Sequence, residues 1–409
     1  MIRSMFTAIN SLNLYQSFMD VVADNLANSN TTAFKSSRMT FQDQIAQLVS
    51  IGAPPSTELG GTNPVQIGLG SRLGTVSSTF TQGMLQSTGR DTDLSIEGDG
   101  FLIYSNGTQQ YFSRDGALDL DSSGYLVNSA TGMRLQGWQA ADAGQGMVVD
   151  RNSPLTGIHI PLGTTLAQAT KNAYFAGNLD SGTAVAGTHD ITTGVYDSLG
   201  VLHPVVLTFT KTADNTWNWT ASVDGAIVPA VPARTLTFDT KGQFSAITQD
   251  TITFTPPGAQ QVNVKIDLST LTQLATTADA TLSSQDGLEA GNMSGFDVIS
   301  NTGEVLGLYS NGMKQVVGQL AIAKFINPSG LVRAGMNLFD KGLNSGEPEI
   351  GIAGSGGRGT VTSGYLEASN VDMAQEFTNM ILAQRGFQAS SRIITTSDEI
   401  LQELVNLKR

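Results

Sequence analysis

Ile2-Arg-Ser-Met-Phe-Thr-Ala-Ile-Asn-Ser-Leu-Asn-Leu-Tyr-Gln-Ser-Phe-Met-Asp-Val-Val-Ala-Asp-Asn-Leu26 reads as one amphipathic helix. Ile2, Met5, Ile9, Leu12, Gln16, Met19, Ala23 and Leu26 recur at alternating steps of three and four, a heptad seam with one polar interruption. Phe6, Leu14, Tyr15, Phe18 and Val22 lie off that seam. Apolar groups on more than one face imply more than one packing partner. Asn28-Ser-Asn-Thr-Thr32, whose side chains compete for backbone hydrogen bonds, should end the helix.

The far end of the chain answers this one. A second helix is predicted from Asn370 as N-cap, with Asp372 and Glu376 placed to complement the dipole, to about Leu407 and the closing Lys408-Arg409. Met373, Phe377, Met380, Phe387, Ile394, Leu401 and Val405 fit one heptad frame, with Gln384, Ser391 and Asp398 at intervening positions. Gly386 costs about 1 kcal/mol relative to Ala in a helix interior, which points to a close packing contact or mild flexibility there. Such a chain folds as a hairpin with its termini side by side, the plan of a subunit that stacks.

Residues 33–74 form a transition. Phe34 to Leu48 has some helical character, but Gly52-Ala-Pro-Pro55 and Gly60-Gly-Thr-Asn-Pro64 prevent a continuous element, so an extended, weakly structured connector is expected. From about residue 75 the period becomes two. Asp121-Ser-Ser-Gly124, Asp197-Ser-Leu-Gly200, Asp239-Thr-Lys-Gly242 and Ser300-Asn-Thr-Gly303 suit hairpin turns that end in a left-handed glycine. Trp217, Trp219, Ala221 and Val223 alternate with Asn218, Thr220 and Ser222, as a strand with one buried face does.

Composition narrows the function. With 409 residues, more than one domain is expected. Charged residues are only 14% of the chain, and 45 glycines and many uncharged polar residues take their place. The net charge of −13, with no cluster of Lys and Arg, argues against nucleic acid. Zero cysteines exclude disulfides, thiolate metal sites and cysteine nucleophiles. No run approaches the roughly 18 apolar residues of a membrane span, and the N-terminus lacks the apolar stretch of a cleaved secretory signal.

No motif carries chemistry. Gly354-Ser-Gly-Gly-Arg-Gly359 matches a dinucleotide fingerprint by letter, yet Thr360-Val-Thr-Ser-Gly364 follows in place of a helix. Asp119-Leu-Asp-Ser-Ser-Gly124 imitates a calcium loop but has Ala130 where the bidentate carboxylate belongs. His159, His189 and His203 are scattered, with no ligand spacing. No catalytic residue, cofactor or metal is assigned; a secreted β-rich glycosidase stays open as a competing class.

The ends are more specific. Ala23-Asp-Asn-Leu-Ala-Asn-Ser-Asn-Thr-Thr-Ala-Phe-Lys-Ser-Ser-Arg38 resembles the N-terminal signature of the flagellar rod and hook protein family, carried by Asn25, Ala27, Asn28, Thr31, Phe34 and Lys35. Leu366 to Ala389 resembles the matching C-terminal signature, with Asn370, Val371, Asp372, Gln384 and Arg385. Asp93-Leu-Ser-Ile-Glu-Gly-Asp-Gly-Phe-Leu102, Tyr111-Phe-Ser-Arg-Asp-Gly-Ala-Leu118 and Leu126 to Trp138 look like the inner domain of that family. Gly177-Asn-Leu-Asp180, Val195 to Gly200 and the Trp217/Trp219 strand resemble the outer domain of its hook members.

The resemblance implies a mainly β fold with α-helical termini. Antiparallel inner and outer β domains are nested, and the N- and C-terminal helices pair as a coiled coil. The expected division is a helical axial core at 1–32 and 370–409, connectors at 33–74 and 364–369, an inner β domain at 75–145 and 285–363, and an outer domain at 146–284. It further implies a hook subunit that polymerises into a curved, flexible tube and transmits motor torque from rod to filament, extracellular and exported through the flagellar type III apparatus without a cleavable signal. The implied partners are the chain itself, the hook cap, the distal rod and the hook-filament junction proteins, with no nucleic acid and no membrane insertion. A distal rod subunit, giving a straight tube, is the alternative.

Overall fold

The computed structural model describes residues 2–52, 54–55, 60–142, 147–229 and 233–406. The expected boundary at 145/146, the Lys408-Arg409 pair and the side chain of Ile2 lie outside the described residues. Two compact units emerge: residues 1–159, 297–305 and 316–409 form one, and 160–296 with 306–315 the other.

In the first unit, helix α1 (Ile2–Ala27) and helix α2 (Met373–Asn406) lie against each other. Their touching faces are not the apolar heptads. Ala8, Leu14, Val22 and Asn25 of α1 and Ala383, Ser390 and Ser397 of α2 are the buried residues among those described. Ser390 Oγ donates to Ser11 Oγ at 3.1 Å. A Cβ at Gly386 would lie 2.4 Å from the Tyr15 ring, so only glycine lets the ring approach. The first turn of α2 is capped by Asp372, not Asn370: Asp372 Oδ1 accepts from Ala374 N at 2.9 Å and Gln375 N at 3.1 Å.

The segment after α1 holds paired strands where weak structure with partial helix was expected. Ser37–Asp43 runs antiparallel to Ser71–Ser78, and Gln47–Ser50 to Val65–Ile67. Only Met39 of these strands is buried, between exposed Arg38 and partly exposed Thr40, so cross-strand backbone pairing defines them. The β body of this unit strings Arg134–Asp142, Phe101–Ser105, Gln110–Ser113, Leu338–Asp340 and Val332–Gly335 side by side. Its core is aromatic: Phe101, Phe112, Phe325 and Phe339 are buried, and Phe112 meets Phe325 edge-on at 4.8 Å.

The second unit is a sandwich. One sheet orders Thr188–Tyr196, Leu202–Ala213, Thr216–Val223, Arg234–Phe238 and Phe244–Ile247. The other orders Thr251–Phe254, Val262–Thr272, Asn172–Asn178 and Thr281–Gln285. Trp217, Trp219, Ala221 and Val223 point into the shared core, as their alternation predicts. One pairing departs from the antiparallel expectation, since Asn172–Asn178 runs parallel to Val262–Thr272. Parallel neighbours need a long connection, and the intervening chain supplies it by building the first sheet.

The turn tetrads form as read: Gly124, Gly200, Gly242 and Gly303 have φ of 81°, 82°, 78° and 67°. One of these turns is tied down by a histidine. His203 Nδ1 lies 2.7 Å from Asp224 Oδ2 and its Nε2 3.2 Å from Asp197 Oδ2. Burial disfavours the imidazolium, but hydrogen bonds to Asp224 and Asp197 outweigh it and raise the His203 pKa. Burial likewise opposes the Asp197 carboxylate, yet hydrogen bonds from Val201 N and His203 hold its pKa down. The raised imidazole stabilises fully below its ordinary value of about 6.5 and loses that contribution as pH rises through the folded value. The depressed carboxylate stabilises above the usual carboxylate range and loses its contribution in acid. The melting temperature of this unit, followed by Trp217 and Trp219 fluorescence in a Trp138→Phe background, should fall from pH 6 to pH 9, and His203→Gln should flatten that fall.

Candidate functional site

The signature residues of both ends converge where α1 and α2 meet the β body of the first unit. α1 stops as expected: Asn28 Nδ2 donates to Asp24 O at 2.9 Å, and Thr31 Oγ1 donates to Asn28 Oδ1 at 3.1 Å. The chain then reverses through Ala33, a buried residue at φ 58°, a conformation that costs an alanine about 1–2 kcal/mol. Ala33 N donates to Glu367 O at 2.7 Å, so the reversal lays the segment after α1 against the strand before α2.

Three side chains stitch this joint. Asn25 is buried; its Oδ1 accepts from Ser37 N at 2.8 Å, while its Nδ2 donates to Ser37 O at 2.8 Å and to Glu376 Oε1 at 3.2 Å. It therefore binds α1, the next strand and α2 at once. Asn370 Oδ1 accepts from Ser36 N at 2.8 Å, and its Nδ2 donates to Thr79 O and Thr81 Oγ1 at 2.8 and 2.9 Å. Lys35, wholly buried, donates from Nζ to Glu367 Oε1 at 2.6 Å and Thr81 O at 2.8 Å.

Glu367 is the hub. Its Oε1 also accepts from Gly83 N at 2.8 Å, and its Oε2 faces Arg114 Nη1 at 3.5 Å. Arg114, itself buried, anchors to Gly98 O at 2.7 Å. Burial pulls both cations below their ordinary pKa values, against the pull of the Glu367 carboxylate. Arg333 closes the outer side: it lies 5.0 Å above the Phe34 ring, donates to Lys35 O and reaches Asp24 Oδ2 at 3.4 Å.

The other expected residues sit elsewhere. Met5, Leu12, Met19, Leu26, Met380, Ile394 and Leu401 are half-buried; Ile9, Met373, Phe377, Phe387 and Val405 are exposed. Val371 is half-buried, and Ala27, Gln384 and Arg385 face solvent. Sequence reading missed Glu367, Arg114 and Arg333, and took Glu376 only as a dipole partner, not as the acceptor of Asn25. Glu367 and Arg114 lay within quoted blocks, and a lone carboxylate beside an otherwise apolar strand was the available signal. Among the described residues no group of His, Asp and Glu side chains is arranged to hold a metal ion, and no helix is long and apolar enough to cross a membrane. The arrangement joins chain segments.

Comparison with known proteins gives four family matches in chain order. They are flagella basal body rod protein (residues 5–35), flagellar hook protein FlgE/F/G D1 domain (95–172), flagellar basal body protein FlaE D2 domain (164–288) and flagellar basal body rod FlgEFG protein C-terminal (362–407). The chain is 38% identical to the flagellar hook protein FlgE of Borreliella burgdorferi, covering all of both chains. It is 34% identical to the FlgE of Salmonella typhimurium over 98% of this chain and 99% of that one. It is also 30% identical to the flagellar basal-body rod protein FlgG of Bacillus subtilis, over all of both.

Removing Glu367 leaves two buried cations, Lys35 and Arg114, without their carboxylate, whereas removing Lys35 leaves Glu367 facing Arg114 alone. Glu367→Gln should destabilise the first unit by about 3–5 kcal/mol in chemical denaturation, and Lys35→Met, which leaves the Arg114 contact to Glu367, by less. The paired Lys35→Met, Glu367→Met variant should lose clearly less than the sum of its parts.

Proposed function

Because the chain belongs to the flagellar hook protein family, in which it is a structural subunit of the hook, we propose that its paired helices build the inner layer of a tubular homopolymer and its β units the outer layers. The curved tube would join rod to filament and pass torque between them. Export through the flagellar type III apparatus to a position outside the cell belongs to the same reading. So do contacts with a cap, the distal rod and the hook-filament junction.

The observation that supports this is the unmatched apolar surface of the helix pair. α1 and α2 meet through small residues, which leaves Phe6 61%, Phe377 52%, Leu382 59% and Val405 67% exposed. Ile9, Ile381, Phe387, Ile393 and Ile400 are exposed as well. Side chains of this size gain about 1.5–3 kcal/mol each on full burial, so several half-buried ones per copy make packing against neighbouring copies strongly favourable. A scattered apolar residue needs no explanation, but two helices with outward apolar stripes do.

The β units suit exchangeable contacts. Low charge and abundant Thr, Ser and Asn allow polar contacts to be remade at small net cost, since protein and water hydrogen bonds are nearly equivalent. That is what a bending tube demands of its outer layers.

In the full-length chain, Ile9→Asp or Phe377→Asp should leave the melting of both β units unchanged and abolish tube formation, because a charge buried without a partner is costly. Tubes of normal yield from either variant, seen by electron microscopy, would sink the proposal. In cells, loss of the protein should leave basal bodies that end in a rod without a hook; basal bodies that stop before the distal rod is complete would favour a rod subunit.

A further inference from the structure

The first unit carries a broad cleft of about 1340 Å³ that the helix joint does not use. Its walls are the turn Ser105–Gln110, Tyr125, Gly132, the strand residues Arg134, Gln136 and Gln139, and Leu155–Gly157 with His159. In a chain of net charge −13 with 35 acidic residues, none of the lining residues is acidic. The cleft is a local site of opposite sign.

Arg134 sets its chemistry. The guanidinium carbon lies over the Tyr125 ring, 3.9 Å from its centroid, and the His159 ring meets Tyr125 at a tilt, 5.0 Å between centroids. None of the Arg134 guanidinium N–H groups has a hydrogen-bond or ion-pair partner among the described residues. Stacking holds the planar fork still while its donors stay open, the state in which arginine takes a carboxylate in two parallel hydrogen bonds. The surroundings are built to keep it there. A Cβ on Gly157 would sit 3.3 Å from Arg134 Cδ and 3.2 Å from Tyr125 Cδ1, a tight contact, so glycine gives both side chains room beside the strand. Gln139 fixes the strand beyond, donating to His159 O at 2.9 Å and accepting from His159 N at 3.0 Å.

Resting on the assembly reading, we infer that this cleft is a socket for a carboxylate-bearing loop of a second copy of the chain, with Arg134 as the receiving group. The occupant follows from charge complementarity. The surface most abundant around any subunit in a homopolymer is that of its own acidic copies, and a contact between two different patches propagates as an open helix. The neutral Gln, Asn and Thr side chains around Arg134 let the loop settle without a competing carboxylate.

The test uses the full-length chain polymerised in vitro, with the monomer remaining at equilibrium measured by sedimentation. Arg134→Glu should keep the circular dichroism and melting of the parent and raise the residual monomer about tenfold, as loss of one charge-assisted contact predicts; Arg134→Gln should give a smaller rise in the same direction. A photo-crosslinking residue in place of Gln109, on the cleft rim, should join two copies in tubes and none in dilute monomer. Equal residual monomer for parent and Arg134→Glu, or no crosslink between copies in tubes, overturns the socket and leaves the hook reading standing. Failure of the parent chain to form tubes at all overturns the assembly reading and the socket with it.

Discussion

The buried Lys35–Glu367 pair is the constraint on which the first unit depends. Two charges removed from water gain little over well-packed apolar groups of the same shape, but once buried they tolerate no other partner. Glu367 is fixed by Gly83 N, Lys35 and Arg114 together, so the strand that carries it has one place to go. Since Ala33 N bonds the backbone of the same residue, the exit of α1 and the entry to α2 are set by a single position. The helices inherit their register from this point, through Asn25 to Glu376 at one end and the Ser11–Ser390 contact farther along.

Much of this was legible in the sequence, and what was not has physical causes. The turn tetrads and the Trp217/Trp219 strand depend on local backbone chemistry and a period of two, both of which sequence displays. The end of α1 was visible for similar reasons, whereas the start of α2 lies past the expected Asn370 cap, at Asp372. Which faces of the helices touch was not. An apolar-periodicity reading finds Ile, Leu, Met and Phe, whereas the observed contact sets Tyr15 against Gly386 and Ser11 against Ser390, with Ala8 and Ala383 buried, small residues that permit close approach. The strands at 37–78 were obscured by Gly and Pro between them, since pairing of Ser37–Asp43 with Ser71–Ser78 is a tertiary event. Glu367 as partner of Lys35 could not be read from either segment alone, because many carboxylates were available and only the fold selects one.

Two kinds of surface follow from this division of labour. Small residues lie at the helix contact, and large apolar ones such as Phe6, Phe377 and Val405 stay exposed. The β units carry charge sparsely, with the acid-free cleft around Arg134 as a local exception. The joint is dense in directional hydrogen bonds, whereas the outward helix faces are apolar and non-directional. A subunit made this way keeps its internal geometry while its contacts with neighbours adapt.

The reach of the Lys35–Glu367 pair along the chain also sets an order in time. Its members are separated by 332 residues, and α2, the companion of α1, is the last element to leave a ribosome or any narrow channel entered N-terminus first. Until then α1 has no partner, and a lone helix of its 26 residues is marginal in water when its composition is rich in Asn, Ser and β-branched residues. The β units, closed by contacts nearer in sequence, can fold while the ends are still loose. The pairing of α1 with α2 therefore forms late, after the β units between them can already have closed.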